Sequence, residues 1–302
     1  MATNKYYDAI ITGGSYSGLA AAMALGRALK QVLIIDNGLP CNRQTPFSHN
    51  FLTQDGKPPL EILQTALQQV SAYNTIEFLT DTVISGQKTG KAFELETAGG
   101  KKILAKKLIF ATGIRDLFPG IAGIEECWGI SVIHCPYCHG YEVRHEKTGL
   151  LSNGEITFDH TKMIANWTKE LTLFTNGPSV LTAEQANTLQ QRGITIVETS
   201  IERVVHSNGH LTKIILNNGE ELELKALYVQ IPFEQHCTVP EMLGCEITPE
   251  GFITTDMMQE SSVEGVFACG DNAGRFRSVA NAVATGTMAG AAVSRKLIME
   301  EF

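Results

Sequence analysis

One stretch near the start of the chain restricts the fold more than any other. The apolar run Asp8–Thr12 passes directly into Gly13-Gly14-Ser15-Tyr16-Ser17-Gly18. An Ala- and Leu-rich segment follows from Leu19 to Leu29, and a second apolar run, Val32–Ile35, ends on Asp36. Strand, glycine turn, helix, strand and acid in that order make the crossover unit of a parallel sheet. Gly13 supplies the tight turn and Gly18 lets the helix pack on the strand. Ser15 stands where a dinucleotide fingerprint has a glycine for close approach of a pyrophosphate. Serine is small enough that phosphates still reach the helix N-terminus. Asp36, 18 residues past Gly18, is placed for a ribose hydroxyl. The competing reading is an α/β turn that is merely rich in glycine.

The end of the chain carries a second signal. Phe267-Ala268-Cys269-Gly270-Asp271 is a buried strand that delivers a carboxylate at its C-terminal tip, suited to a ribityl hydroxyl of a flavin. Arg277-Ser278-Val279-Ala280 then opens a long Ala/Gly-rich helix, Val279–Glu300. Its unpaired N–H groups and partial positive charge suit the flavin edge that becomes anionic on reduction. The bland alternative for Asp271 is a solvated cap.

The chemical centre is Cys135-Pro136-Tyr137-Cys138. Two intervening residues bring the thiols close enough for a small disulfide ring, and thiolates of such motifs are nucleophilic. A structural zinc site wants four ligands. His134 and His139 flank the pair, but neighbouring residues rarely point into one tetrahedron, so no metal is expected. His139 and Glu142 are candidate proton carriers. Cys41, Cys127 and Cys269 read as packing residues, and Cys237 and Cys245 form no motif.

Between these motifs the chain alternates strand-like and helical runs. Residues 40–59 form a long polar, Pro-rich loop of the kind a compact domain keeps mainly for function. Leu108–Gly113 reads as a buried strand ending at a glycine. A second unit of the same type follows: strand Gly149–Ser152, a helix around His160–Trp167 and strand Leu171–Thr175. Further strands are expected at Thr195–Glu198, Ile201–His206, Leu211–Leu216 and Glu221–Ile231, with loop after Pro232. The fold class is α/β, with two dinucleotide-binding, Rossmann-like domains. Residues 1–116 and 237–302 form one domain, and 117–236 are inserted into it.

A net charge of −8 argues against a nucleic-acid partner, which needs clustered Lys and Arg. The N-terminus lacks a basic segment followed by an apolar one, and no stretch approaches the ~20 apolar residues of a membrane span. A cytoplasmic protein with no membrane partner is expected.

Taken together the motifs resemble the low-molecular-weight thioredoxin reductase family over nearly the whole chain. The order is that family's: Gly13–Gly18, Ala111-Thr112-Gly113, the cysteine pair, then Gly270-Asp271 before the last helix. The resemblance implies a homodimer with an FAD domain interrupted by a pyridine-nucleotide domain. It places Gly13, Ser15, Gly18, Asp36, Gly113, Gly270, Asp271 and Val279 at FAD, with Gln44 and Asn50 as further flavin contacts. It assigns Cys138 to the flavin side and Cys135 to exchange with a thiol or disulfide substrate, a small protein or small molecule.

Two departures matter. The acid that usually follows the second cysteine is His139 here, and Cys-x-x-Cys-His-Gly-Tyr-Glu looks like the thiol-oxidase branch, which closes dithiols in small natural products. The inserted domain keeps a single glycine in Leu150–Ile156, adds Glu155 where a pyrophosphate would approach, and has no Arg or Lys in Leu173–Pro178. Like charges repel there, and ordinary NADPH binding is not expected. The reading is an FAD-dependent thiol–disulfide oxidoreductase. An NADPH-dependent disulfide reductase and a flavin-binding redox sensor are the alternatives.

Overall fold

The computed structural model describes residues 6–302. Most of the segment read for a leader, residues 1–5, therefore lies outside it. The first glycine-turn unit forms β1 (Tyr6–Thr12), α1 (Tyr16–Arg27) and β2 (Val32–Asp36), with β1 and β2 parallel and Ala9 opposite Val32. After the long loop come α2 (Pro59–Ser71) and β3 (Ile76–Thr80), the latter parallel to β2. β4 (Val83–Thr89), β5 (Ala92–Thr97) and β6 (Lys102–Phe110) then make an antiparallel meander. β6 also runs parallel to β1, with Ile10 opposite Leu108.

The chain leaves through β7 (Ile114–Asp116). It then builds α3 (Ile124–Cys127), β8 (Val132–Ile133), α4 (Pro136–His139), β9 (Thr148–Leu151), α5 (Thr157–Ile164) and β10 (Leu171–Phe174). α6 (Ala183–Gln191), β11 (Thr195–Val197), β12 (Ile201–Ser207), β13 (His210–Leu216), β14 (Glu221–Glu223) and β15 (Ala226–Val229) follow. It returns through β16 (Phe233–Gln235), which pairs antiparallel with β7, Phe233 opposite Asp116. α7 (Val239–Met242), β17 (Val266–Ala268) and α8 (Val279–Glu301) complete the chain.

The first sheet has the order β3-β2-β1-β6-β5-β4, with β17 parallel to the C-terminal end of β6, Val266 opposite Leu108. The second is five-stranded, β11-β10-β9-β15-β8, and parallel throughout. A mixed sheet with a parallel β3-β2-β1-β6 half, a second sheet that is all parallel, and crossover helices give the α/β, two-domain Rossmann-like fold. One strand reading is corrected. Glu221–Ile231 is two strands: β14 extends the β12–β13 hairpin while β15 enters the parallel sheet. The break lies at Leu224-Lys225, where the buried Leu224 and the bond from the Lys225 N–H to Lys147 O redirect the chain. The segment after Pro232, read as loop, holds β16 and α7.

Packing explains the placement of the last helix. α1 and α8 cover one face of the first sheet, with Leu25, Val293 and Leu297 fully buried, each worth about 1.5–3 kcal/mol in transfer from water. A Cβ on Gly286 or Gly290 would overlap the Ser17 or Ala21 carbonyl of α1. The small residues let the two backbones touch, and this contact sets α8's N-terminus over the open end of the first sheet. Thr182 and Gln185 close a capping box on α6, a start signal passed over in the sequence reading.

Candidate functional site

A cavity of about 600 Å³ runs from the C-terminal ends of β1 and β2 to the cysteine pair. That size is within the range of about 300–1,000 Å³ common for ligand sites. Gly13, Gly14, Ser15, Tyr16 and Ser17 form one wall. Ser15 is the N-cap of α1 and no side chain caps the helix, so its first-turn N–H groups remain donors toward the cavity. Gly13 is at φ +103°, and a Cβ there would lie 2.7 Å from the Ala111 carbonyl carbon. A Cβ on Gly14 would lie 2.9 Å from Asp36 Cβ. Gly13 and Gly14 are thus pressed against their neighbours and offer only backbone to a ligand.

Asp36 is oriented by that same turn. Its Oδ2 accepts the Gly14 N–H at 2.6 Å and its Oδ1 the Gly38 N–H at 2.7 Å. Each oxygen keeps a lone pair for a ribose hydroxyl. Gly18 does not line the cavity. A Cβ there would overlap the Gly13 carbonyl, which makes it the packing glycine of the turn.

The opposite wall comes from Gly113, Asp271, Ser278, Val279 and Ala282. Gly270, at φ +84°, sits behind Asp271, and a Cβ there would be 2.7 Å from Ser17 Oγ. Ser278 caps α8, its side chain accepting the Asn281 N–H at 3.1 Å. Gln44 lines the cavity. Asn50 is not brought to it. At φ 59° its backbone turns away and its N–H donates to Asp55 Oδ1 at 2.8 Å.

At the far end Cys135 and Cys138 are joined in a disulfide, Cα–Cα 5.3 Å, around the single helical turn α4. Cys138, His134 and His139 line the cavity. His134 stacks on Trp128 at 5.6 Å, and burial, with Arg277 and His139 nearby, lowers its pKa to about 3. His139 is lowered to about 4 by burial and by His49. Both imidazoles are therefore neutral at pH 7, and His139 follows Cys138 directly.

Three cavity residues were missed in the sequence reading as parts of the site. Arg277 Nη1 and Nη2 donate to the Asp116 carboxylate at 2.8 and 3.0 Å, and Arg277 Nε stands 3.7 Å from Asp271 Oδ2. His49 comes from the long loop, whose length was the only signal for it. Cys41 is corrected from a packing residue to a cavity residue, its Sγ 4.0 Å from Asp271 Oδ2. The neighbouring Asp271 carboxylate shifts its thiol pKa upward, although Cys41 is exposed in the cavity.

Among the described residues, His134 Nε2 and Arg277 Nε are buried without a hydrogen-bond partner, and both residues face the cavity. Donors at a helix N-terminus, an oriented ribose acid, two orphaned nitrogens and a disulfide sulfur at the far end fit an elongated dinucleotide with a redox-active ring.

The chain is similar to known oxidoreductases along nearly its whole length. A family model described as pyridine nucleotide-disulphide oxidoreductase matches residues 7–286. The chain is 32% identical to thioredoxin reductase tcpT of Claviceps purpurea, over 99% of this chain and 97% of that one. The solved oxidoreductase of Agrobacterium tumefaciens superposes with TM-score 0.91 at 39% identity, covering 98% of this chain and 99% of that one. The solved structure of HlmI superposes with TM-score 0.93 at 29% identity, covering 100% and 95%.

Proposed function

Because the chain belongs to the pyridine nucleotide-disulphide oxidoreductase family, we propose that it is an FAD-dependent, thioredoxin-reductase-like thiol–disulfide oxidoreductase that works without ordinary NADPH. The observation that carries this is the placement of Cys138, one half of the disulfide, on the wall of the dinucleotide-shaped cavity. Gly13, Ser15, Asp36, Gly113, Asp271 and Val279 would hold FAD, with Gly18 and Gly270 shaping the turns behind them. A flavin bound there supplies a store for an electron pair.

Cys135 meets the external thiol or disulfide. A substrate thiolate forms a bond to Cys135 Sγ, and the Cys135–Cys138 bond breaks with its electron pair on Cys138. His139, neutral and adjacent, accepts the thiol proton. The partner is a small dithiol or a small protein. A homodimer and a cytoplasmic setting belong to the same proposal, and among the described residues no helix is long and apolar enough to cross a membrane.

The inserted domain supports the nucleotide part of the reading. Asn153, in the turn after β9, bridges to the loop after β10: its Nδ2 donates to Pro178 O at 2.9 Å and its Oδ1 accepts the Val180 N–H at 3.0 Å. The Gly154 N–H, a donor that a pyrophosphate would need, is taken by Thr157 Oγ1 at 2.7 Å. Glu155 is exposed at the same turn and Asp159 lies in the first turn of α5. The crevice between the ends of β9 and β10 is thus clasped by side chains and carries the wrong charge.

Anaerobic stopped-flow mixing of the flavin-loaded protein with dithiothreitol, NADPH and NADH tests the proposal. Dithiothreitol bleaches the flavin, while submillimolar nicotinamide nucleotides do so poorly. Bleaching by NADPH within seconds restores the NADPH-dependent reductase; a protein that takes up no flavin removes the whole reading.

A further inference from the structure

The loop that carries His49 is tied down at both sides. Ser48 N–H donates to Lys57 O at 2.8 Å, and Gly56 N–H donates back to Ser48 O at 2.9 Å. The His49 ring packs over Gly56, whose missing Cβ would stand 4.0 Å from Cε1. Its Nδ1 is 3.7 Å from Asp55 Oδ1 and its Nε2 is 3.5 Å from Glu142 Oε1. Glu142 belongs to the other domain, three residues past His139 in the turn after α4. The His49 side chain is 19% exposed, whereas Asp55 and Glu142 are 67% and 40% exposed. His49 and His139 line the same cavity.

We propose that His49 is a positioning and relay residue that carries protons from His139 to solvent by way of Glu142 and Asp55. The proposal rests on the disulfide-exchange reading above and assigns the route for the protons that exchange releases. In the first step a substrate thiol loses its proton to His139. A substrate–Cys135 disulfide forms, and Cys138 leaves as thiolate. In the second, the substrate's other thiol loses its proton by the same route and attacks the sulfur bound to Cys135, which leaves as thiolate. The dithiol becomes a disulfide, the enzyme keeps two thiolates with the electron pair, and two protons must exit.

His139 cannot keep them, because burial disfavours its charged form. The carboxylates facing His49 are Asp55 from its own loop and Glu142 from the turn after α4, and His139, on α4, lines the same cavity. Behind His139 stands His134, which faces Arg277. The carboxylates beside His49 are both more exposed than its ring, at 67% and 40% against 19%, so they stand on its solvent side, where a proton reaches water.

The test uses the flavin-loaded protein, reduced anaerobically by dithiothreitol in weak buffer, with an indicator dye reporting proton release. His49→Gln slows reduction and proton release together by roughly 100-fold, the lower end of the ~10²–10⁴-fold that a positioned proton carrier contributes. Added imidazole restores much of the rate. Flavin absorbance and near-UV circular dichroism check its fold. Should that variant lose flavin, the Asp55→Asn/Glu142→Gln double variant, which keeps the imidazole, carries the test and is slowed in the same way. Rates within twofold of wild type, or a slowed His49→Gln that imidazole does not rescue, overturn the relay. Wild-type protein that dithiothreitol fails to reduce overturns the exchange reading itself, a result distinguishable because it appears before any variant is made.

Discussion

The Arg277 guanidinium holds both carboxylate oxygens of Asp116, at 2.8 and 3.0 Å, and so fastens the segment leading into α8 to the strand by which the chain leaves the first sheet. Both side chains are largely buried, at 17% and 9% exposure. Breaking such a pair strands a charge away from water. Asp116→Ala should therefore cost roughly 3–5 kcal/mol in urea unfolding. Replacing both partners by apolar residues, as Asp116→Leu with Arg277→Met, should recover most of that loss. An Asp116→Ala protein as stable as wild type would show that Asp271 alone satisfies the arginine.

Asp271 is expected to bind the flavin at the expense of the flavin-free fold. Burial raises its carboxyl pKa, Arg277 lowers it and Asp116 raises it again, with a net upward shift. An acid raised in the folded state holds its proton more tightly there. Its ionisation thus costs stability once pH rises above the unfolded value. Asp271→Asn should make the flavin-free protein more stable at pH 7, by calorimetry. Asp271→Ala should raise the flavin dissociation constant on the order of 10–100-fold, the equivalent of one charge-assisted hydrogen bond of about 1.5–3 kcal/mol.

The two cysteines should separate spectroscopically. With Cys138 on the cavity wall, Cys135→Ser leaves it as a free thiolate beside the flavin and should give a long-wavelength absorbance band. Cys138→Ser should lack that band, and both variants should lose dithiol turnover. Full activity in Cys135→Ser would reverse the assignment.

Acid sensitivity follows from His134 and His139. Both stay neutral in the folded protein, with pKa values lowered to about 3 and about 4. In the unfolded chain they take protons below about 6.5. The unfolded state binds more protons between these values, so stability present above pH 6.5 is lost as pH falls toward 4. The His139 contribution is on the order of 3 kcal/mol at its fullest. Urea unfolding of His139→Gln from pH 7 to pH 4.5 should show a shallower loss than wild type; parallel curves would assign the acid sensitivity elsewhere.

The sequence by itself determined what is local. The Gly13–Gly18 turn, Asp36 at the end of its strand, the Cys-x-x-Cys ring and the Ser278 start of the last helix are all set within a few residues. Backbone sterics, side-chain size and apolar periodicity decide them, and the structure has them where the chain order puts them. Partnerships between segments far apart in the chain were not legible. Glu221–Glu223 and Ala226–Val229 read as one strand because their apolar pattern is continuous. Only β13 and β9, offering edges in different sheets, divide them. Asn50 looked as fit for the cavity as Gln44, yet its positive φ and the Asp55 bond turn it outward. Arg277 with Asp116, Asn153 with Pro178, and His49 with Glu142 each join segments that no local rule connects. Tertiary packing alone brings those segments together, and for the largely buried Arg277 and Asp116 it must, because a buried charge costs too much unless some distant part of the fold supplies its partner.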